Sequence, residues 1–121
     1  MTYDSSTRVE SKVKPGVEFV ISRMSFGRRM DLIRRIRELT LKCDFLNAGS
    51  SPSENLEAAL LSAEIDRLYV NWGLQQLIGL EVDGQTATPE LLASAGPEAL
   101  FVEAVAAIKA ECGLTEAERK N

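Results

Sequence analysis

Apolar residues recur along this chain in two periods, one typical of strands and the other of helices. Residues 17–21 are β-branched and aromatic and follow the turn pair Pro15 and Gly16, so they predict a short strand. From Ser25 the period is helical, and Gly49 marks the stop. The stripe expected to face the core contains Phe26, Met30, Leu32, Ile33, Ile36, Leu39 and Leu41.

A capping box predicts where the second helix begins. Ser51 is a favourable N-cap, Pro52 suits the first helical position, and Glu54 completes the box. We expect this helix to run to about Gln76. Its buried seam is expected to contain Leu61, Ile65, Leu68 and Trp72.

The second half of the chain contains shorter segments. Residues 80–85 end in Asp-Gly and predict a strand or tight turn that pairs with residues 17–21. A short helix is expected from Thr88 to Gly96, followed by another that begins at Pro97 and ends at Gly113. Residues 115–118 form a further capping box.

These elements predict an α+β, mainly α fold, a compact bundle of three to five helices with a short two-stranded β element. We expect a flexible arm over residues 1–16, a single globular domain over 17–114 and a tail over 115–121. A chain of 121 residues is long enough to bury a core without metals or disulfides. Cys43 and Cys112, far apart in sequence, are therefore expected to be reduced.

Composition narrows the classes of function. The chain is 45% hydrophobic and 26% charged, and no apolar run approaches the ~20 residues that span a bilayer. The N-terminal segment lacks the apolar core of a signal peptide, so the cytoplasm is the expected location. A net charge of -4 gives little overall support for binding nucleic acid.

The sequence contains no histidine, which removes the commonest general base and metal ligand. Its glycines form no phosphate-binding loop, and two distant cysteines do not make a zinc site. We therefore expect no enzyme, and no catalytic, cofactor-binding or metal-binding residues.

Two features could carry binding. The first helix is the most basic stretch, with Arg28, Arg29, Arg34, Arg35 and Arg37, and a basic helix can lie in a DNA groove. Asp31 and Glu38 interrupt this face, however, so a solvated and internally paired helix face explains it better. Tyr69 and Trp72 could form a hot spot, although Trp72 at helical spacing is more simply a core residue.

The order of segments from Trp72 onward resembles tail assembly chaperones of long-tailed phages and prophages. The resemblance is carried by Gly-Leu, a Val-Asp-Gly turn, Thr-Pro-Glu-Leu-Leu, Gly-Pro-Glu-Ala-Leu and the ending Gly-Leu-Thr-Glu-Ala-Glu-Arg-Lys-Asn. The strand at residues 17–21 and the Arg-rich helix are compatible with it, so it covers most of the chain. In this family, Arg-Lys-Asn at 119–121 could be encoded by a slippery site for a frameshifted, longer product.

The resemblance implies a cytoplasmic helper, absent from the mature virion, that binds the tape measure protein and keeps it soluble during tail tube assembly. The major tail tube protein and further copies of the chain are additional expected partners. Candidate partner-binding residues are apolar residues in excess of core needs: Phe45, Leu46, Tyr69, Leu77, Ile78 and Leu92. The alternatives are a structural tail-completion or head-tail connector protein, and a small DNA-binding regulator that uses the face of residues 28–37.

Overall fold

The computed structural model describes residues 1–114 and 118. Within them it has an α+β, mainly α architecture with four helices and two small antiparallel sheets. In chain order the elements are β1 (Ser6–Glu10), β2 (Glu18–Ser22), α1 (Phe26–Asn47), α2 (Pro52–Gly73), β3 (Leu74–Ile78), β4 (Glu81–Val82), β5 (Gln85–Thr86), α3 (Pro89–Ala95) and α4 (Glu98–Cys112). The predicted fold class is confirmed.

The larger sheet has the order β1-β2-β3, and β2 is its central strand. Phe19 pairs with Val9 on one side and with Leu77 on the other, and side chains of this register point to the same face. Phe19 and Leu77 are fully buried because α4 packs against β2 and α3 packs against β3. The core of this part of the chain therefore lies between the sheet and the last two helices.

The strand over residues 17–21 is confirmed by β2, but the expected partner strand is wrong. Residues 80–85 do not pair with it: β4 and β5 form their own hairpin, in which Asp83 and Gly84 both have positive φ. Besides β1, strand β2 pairs with β3, whose residues Leu74 to Gln76 were expected to continue the second helix. A pairing between residues so distant in sequence leaves no local signal, and tertiary context decides it.

The N-terminal segment is also more structured than a flexible arm. Its residues 6–10 form β1, which pairs antiparallel with β2 along its whole length. The apolar and polar alternation of this strand is weak, and only Val9 is an apolar residue within it. The expectation of an arm was wrong here because the pairing depends on main-chain hydrogen bonds that composition does not reveal.

The helix boundaries follow the capping signals closely. Ser25 caps α1, Thr88 caps α3, and Ser51 accepts a hydrogen bond from the Glu54 backbone N–H at 3.1 Å while donating its hydroxyl to that carboxylate at 2.9 Å. The predicted starts of α1, α2 and α3 are therefore confirmed. The second capping box falls at 115–118, of which 115–117 lie outside the described residues.

Contacts divide the chain into two units. The sheet unit comprises Met1–Met24 and Tyr69–Cys112, and the helical unit comprises Ser25–Leu68 with the described residues after Cys112. Helix α2 crosses the division, since its last turn belongs to the sheet unit. The expectation of one domain over residues 17–114 did not anticipate this division.

In the helical unit, the residues that α1 buries differ from the expected stripe. The buried positions are Leu32, Ile36, Thr40 and Cys43, whereas Phe26, Met30 and Leu41 are exposed. Cys43 belongs to a cluster with Ala58 and Leu61 of α2, and its thiol donates a hydrogen bond to the Ala58 carbonyl at 3.4 Å. Leu32 and Ile36 of the expected stripe are confirmed, but Phe26, Met30 and Leu41 were misassigned, because α1 carries apolar residues on two sides and the periodicity alone does not say which side packs.

Candidate protein-binding surface

The six predicted binding residues do not form one surface. Tyr69, Leu77 and Leu92 have at most 3% of their surface exposed, so they cannot line a binding site in this conformation. Their assignment as residues in excess of core needs is wrong. The sequence shows that a residue is apolar but not how much core volume the fold must fill, and all three belong to the interior of the sheet unit.

The other three residues have different surroundings. Leu46 is half-buried against the cluster of Cys43 and its neighbours, and Ile78 is a half-buried residue at the end of β3. Of the six residues only Phe45 is exposed, with 75% of its surface accessible. It is therefore the one predicted residue that the structure leaves available to a partner.

Phe45 belongs to a set of exposed residues on the side of α1 that faces away from the buried positions. We call this set the outward stripe: Phe26, Met30, Arg34, Arg37, Leu41 and Phe45. At 100° per residue these six positions fall within about 100° of the helix circumference. The four apolar members are between 38% and 82% exposed. Exposed aromatic residues grouped in this way are typical of an interaction surface.

Helix α2 has a smaller exposed apolar patch. Leu56 and Leu60 are 65% and 61% exposed and lie one turn apart, on the side opposite the buried Ala58. Both helices of the helical unit therefore present apolar side chains to solvent as well as to each other. The sequence signal that could have revealed this is the abundance of apolar residues around α1, more than one core-facing stripe needs.

The basic residues of α1 do not form a continuous positive face. Arg35 pairs with Asp31 at 2.9 Å, and Arg29 pairs with Glu118 at 3.1 Å. Arg34 and Arg37 are exposed and belong to the outward stripe, where apolar side chains flank them. This arrangement confirms the expectation of internal pairing for part of the face and weakens the case for DNA binding, which needs several cations directed at phosphates.

Described residues of the sheet unit line at least two open depressions. One, of about 720 Å³, is polar and lies over the side of the sheet away from α4, with Arg8, Val20, Arg23, Gln75 and Gln76 among its lining residues. The other, of about 640 Å³, is apolar and lies along α4, where Val13 and Val102 are more than half exposed. Neither contains the grouped aromatic side chains that distinguish the outward stripe.

A metal site would need several ligating side chains of the described residues to lie close together. No three His, Cys, Asp or Glu side chains among them gather closely enough to hold a metal ion. Cys43 and Cys112 are both buried, and no disulfide joins them. None of the helices in residues 1–114 combines the length and apolar character needed to cross a membrane.

No protein family, curated protein or solved structure matches the chain.

Proposed function

We propose that this protein is a tail assembly chaperone of a long-tailed phage or prophage, which binds the tape measure protein and keeps it soluble while the tail tube forms. The observation that carries the proposal is the outward stripe of α1. It places two phenylalanines, a methionine and a leucine on the surface of a helix whose opposite side is already packed. Apolar side chains at helical spacing are suited to the apolar face of another helix.

The proposal explains why a globular chain leaves so much apolar surface uncovered. A tape measure protein is expected to be a long helical chain whose apolar face has no partner before the tube surrounds it. Such a face leads to aggregation unless another surface covers it. On this proposal the protein acts without catalysis, in the host cytoplasm, and is absent from the finished virion.

Coexpression with the tape measure protein of the same genome tests the proposal. The parent chain should raise the soluble fraction of that protein and copurify with it, in high salt as well as low, because burial of apolar surface is insensitive to screening. The double variant Phe26→Ser and Phe45→Ser should lose the client, by at least about 30-fold in affinity if the two rings are hot spots.

A matched control separates the stripe from general surface apolarity. The double variant Val13→Ser and Val102→Ser removes two side chains of the sheet unit that are 53% and 59% exposed, and it should retain the client. A folded parent that neither solubilises nor retains the tape measure protein would remove the chaperone proposal. Detection of the chain in purified virions would instead favour a structural tail protein.

A further inference from the structure

The outward stripe contains two arginines at its centre, and this composition determines what can cover it. Along α1 the members follow one another at intervals of four, four, three, four and four residues. The two outer positions at each end are apolar, while the two inner positions are Arg34 and Arg37. The pattern reads the same in both directions along the helix.

The two guanidinium groups are exposed and make no hydrogen bond or ion pair with another described residue. By contrast, Arg29 and Arg35 of the same helix are paired with carboxylates. An apolar partner laid along the whole stripe would strip water from Arg34 and Arg37 without replacing it. Such desolvation of a charged group is costly, so a stable partner has to supply carboxylates there.

We propose that the outward stripe binds an amphipathic helix of another protein that carries two acidic residues at its centre, flanked by apolar residues at both ends. This inference rests on the proposed function, since it specifies which helical segments of a client are bound. Phe26 and Phe45 are 19 positions apart, so the bound helix must be about 28 Å long, or roughly 20 residues. Because the spacing is symmetric, it allows either direction of the partner helix.

A second α1 cannot serve as this partner. The symmetric spacing would put Arg34 and Arg37 of one copy against those of the other in both orientations, and like charges in a closed contact repel. A nucleic acid duplex is also a poor match, since phosphates would face the four apolar members of the stripe.

Designed helical peptides test the inference without a natural client. Each peptide has about 24 residues, with leucines placed to meet the four apolar members and either two glutamates or two lysines placed to meet the arginines. The parent protein should bind the glutamate peptide at least about tenfold more tightly than the lysine peptide, because two charge pairs change sign. The double variant Arg34→Glu and Arg37→Glu should reverse this preference.

The control variant is Lys14→Glu with Arg67→Glu, two exposed cations that lie outside α1. It makes the same change in net charge and should keep the preference of the parent. Equal binding of both peptides by the parent, or an unchanged preference in the Arg34 and Arg37 variant, would overturn the inference. So would a parent oligomer that the same variant dissociates while neither peptide binds, since a second copy would then be the occupant.

Different results would contradict the chaperone function and the inference about the bound helix. A parent that retains the tape measure protein but does not distinguish the peptides would support the chaperone function. It would contradict the inference that the bound helix carries two acidic residues at its centre. A parent that selects the glutamate peptide but does not retain the tape measure protein would support the inference about the acidic centre. It would contradict the proposal that the tape measure protein is the client.

Discussion

Glu103 of α4 accepts hydrogen bonds from the turn between β1 and β2. Its carboxylate accepts a hydrogen bond from the Ser11 hydroxyl at 2.5 Å and another from the Lys12 backbone N–H at 2.7 Å. The Ser11 oxygen in turn accepts from the Lys14 backbone N–H at 2.9 Å. Burial alone would raise the pKa of Glu103, but these hydrogen bonds lower the pKa below its ordinary value of 4.5.

The lowered pKa makes the contribution of Glu103 to stability dependent on pH. Since the folded pKa lies below the unfolded one, the contribution is complete above pH 4.5 and disappears as the pH falls through the folded value. We expect Glu103→Gln to lower the free energy of unfolding by roughly 0.5 to 1 kcal/mol near neutral pH. The difference from the parent should shrink in acid, as measured by denaturant unfolding at several pH values.

The exposed Glu57 of α2 provides a control for this measurement. Glu57→Gln removes the same charge from an exposed site that makes no comparable hydrogen bond with a described residue, so its effect on the free energy of unfolding should be small. A gap between Glu103→Gln and the parent that stays constant from neutral pH into acid would contradict the role given to the carboxylate.

The structural roles of some individual residues could be predicted from the sequence, and those of others could not. Ser51 and Glu54 were assigned correctly because a capping box is local and its partners are three residues apart. The hydrogen bond between Ser11 and Glu103 was not predicted, because the two residues are 92 positions apart in the sequence. The burial of Leu92 could not be predicted either, because an apolar residue in the sequence can be buried or exposed in the fold.

Among the elements, the change from α2 to β3 was the least predictable. Leu74, Gln75 and Gln76 have good helix propensity, yet they form a strand that pairs with β2. The change occurs at Gly73, where a β-carbon would lie 2.6 Å from the Ile108 side chain of α4. Close packing of α4 and pairing with β2 together override a local preference that favours helix.

The connection after β3 allows a test of backbone geometry at two glycines. Gly79 and Gly84 have nearly the same positive φ, 81° and 79°. A β-carbon on Gly79 would lie 2.2 Å from the carbonyl oxygen of Gly16, whereas one on Gly84 would meet nothing within 4 Å. Both substitutions to alanine incur the cost of a left-handed conformation, about 1 to 2 kcal/mol.

We therefore expect Gly79→Ala to be the more destabilising by at least about 2 kcal/mol, since only this variant must also displace backbone. Thermal unfolding of the two variants beside the parent measures the difference. Equal melting temperatures for the two variants would show that the contact between Gly79 and Gly16 does not constrain the fold.

For the whole molecule, charge opposes binding to nucleic acid. The net charge is -4, and within the described part of the chain Arg29 and Arg35 are both paired with carboxylates. We expect no shift of a DNA duplex in a mobility assay at physiological salt. A tight complex that weakens steeply as salt rises would instead favour the DNA-binding regulator.

The sheet unit is built from two stretches of sequence that the ribosome synthesises at different times. Strands β1 and β2 emerge first, but β3 cannot be made until the whole of Ser25–Leu68 has been translated. During that interval β2 has one uncovered edge, and α1 and α2 can already form because their contacts are local. We expect the helical unit to precede the sheet in cotranslational folding, so the outward stripe is formed before the chain is complete.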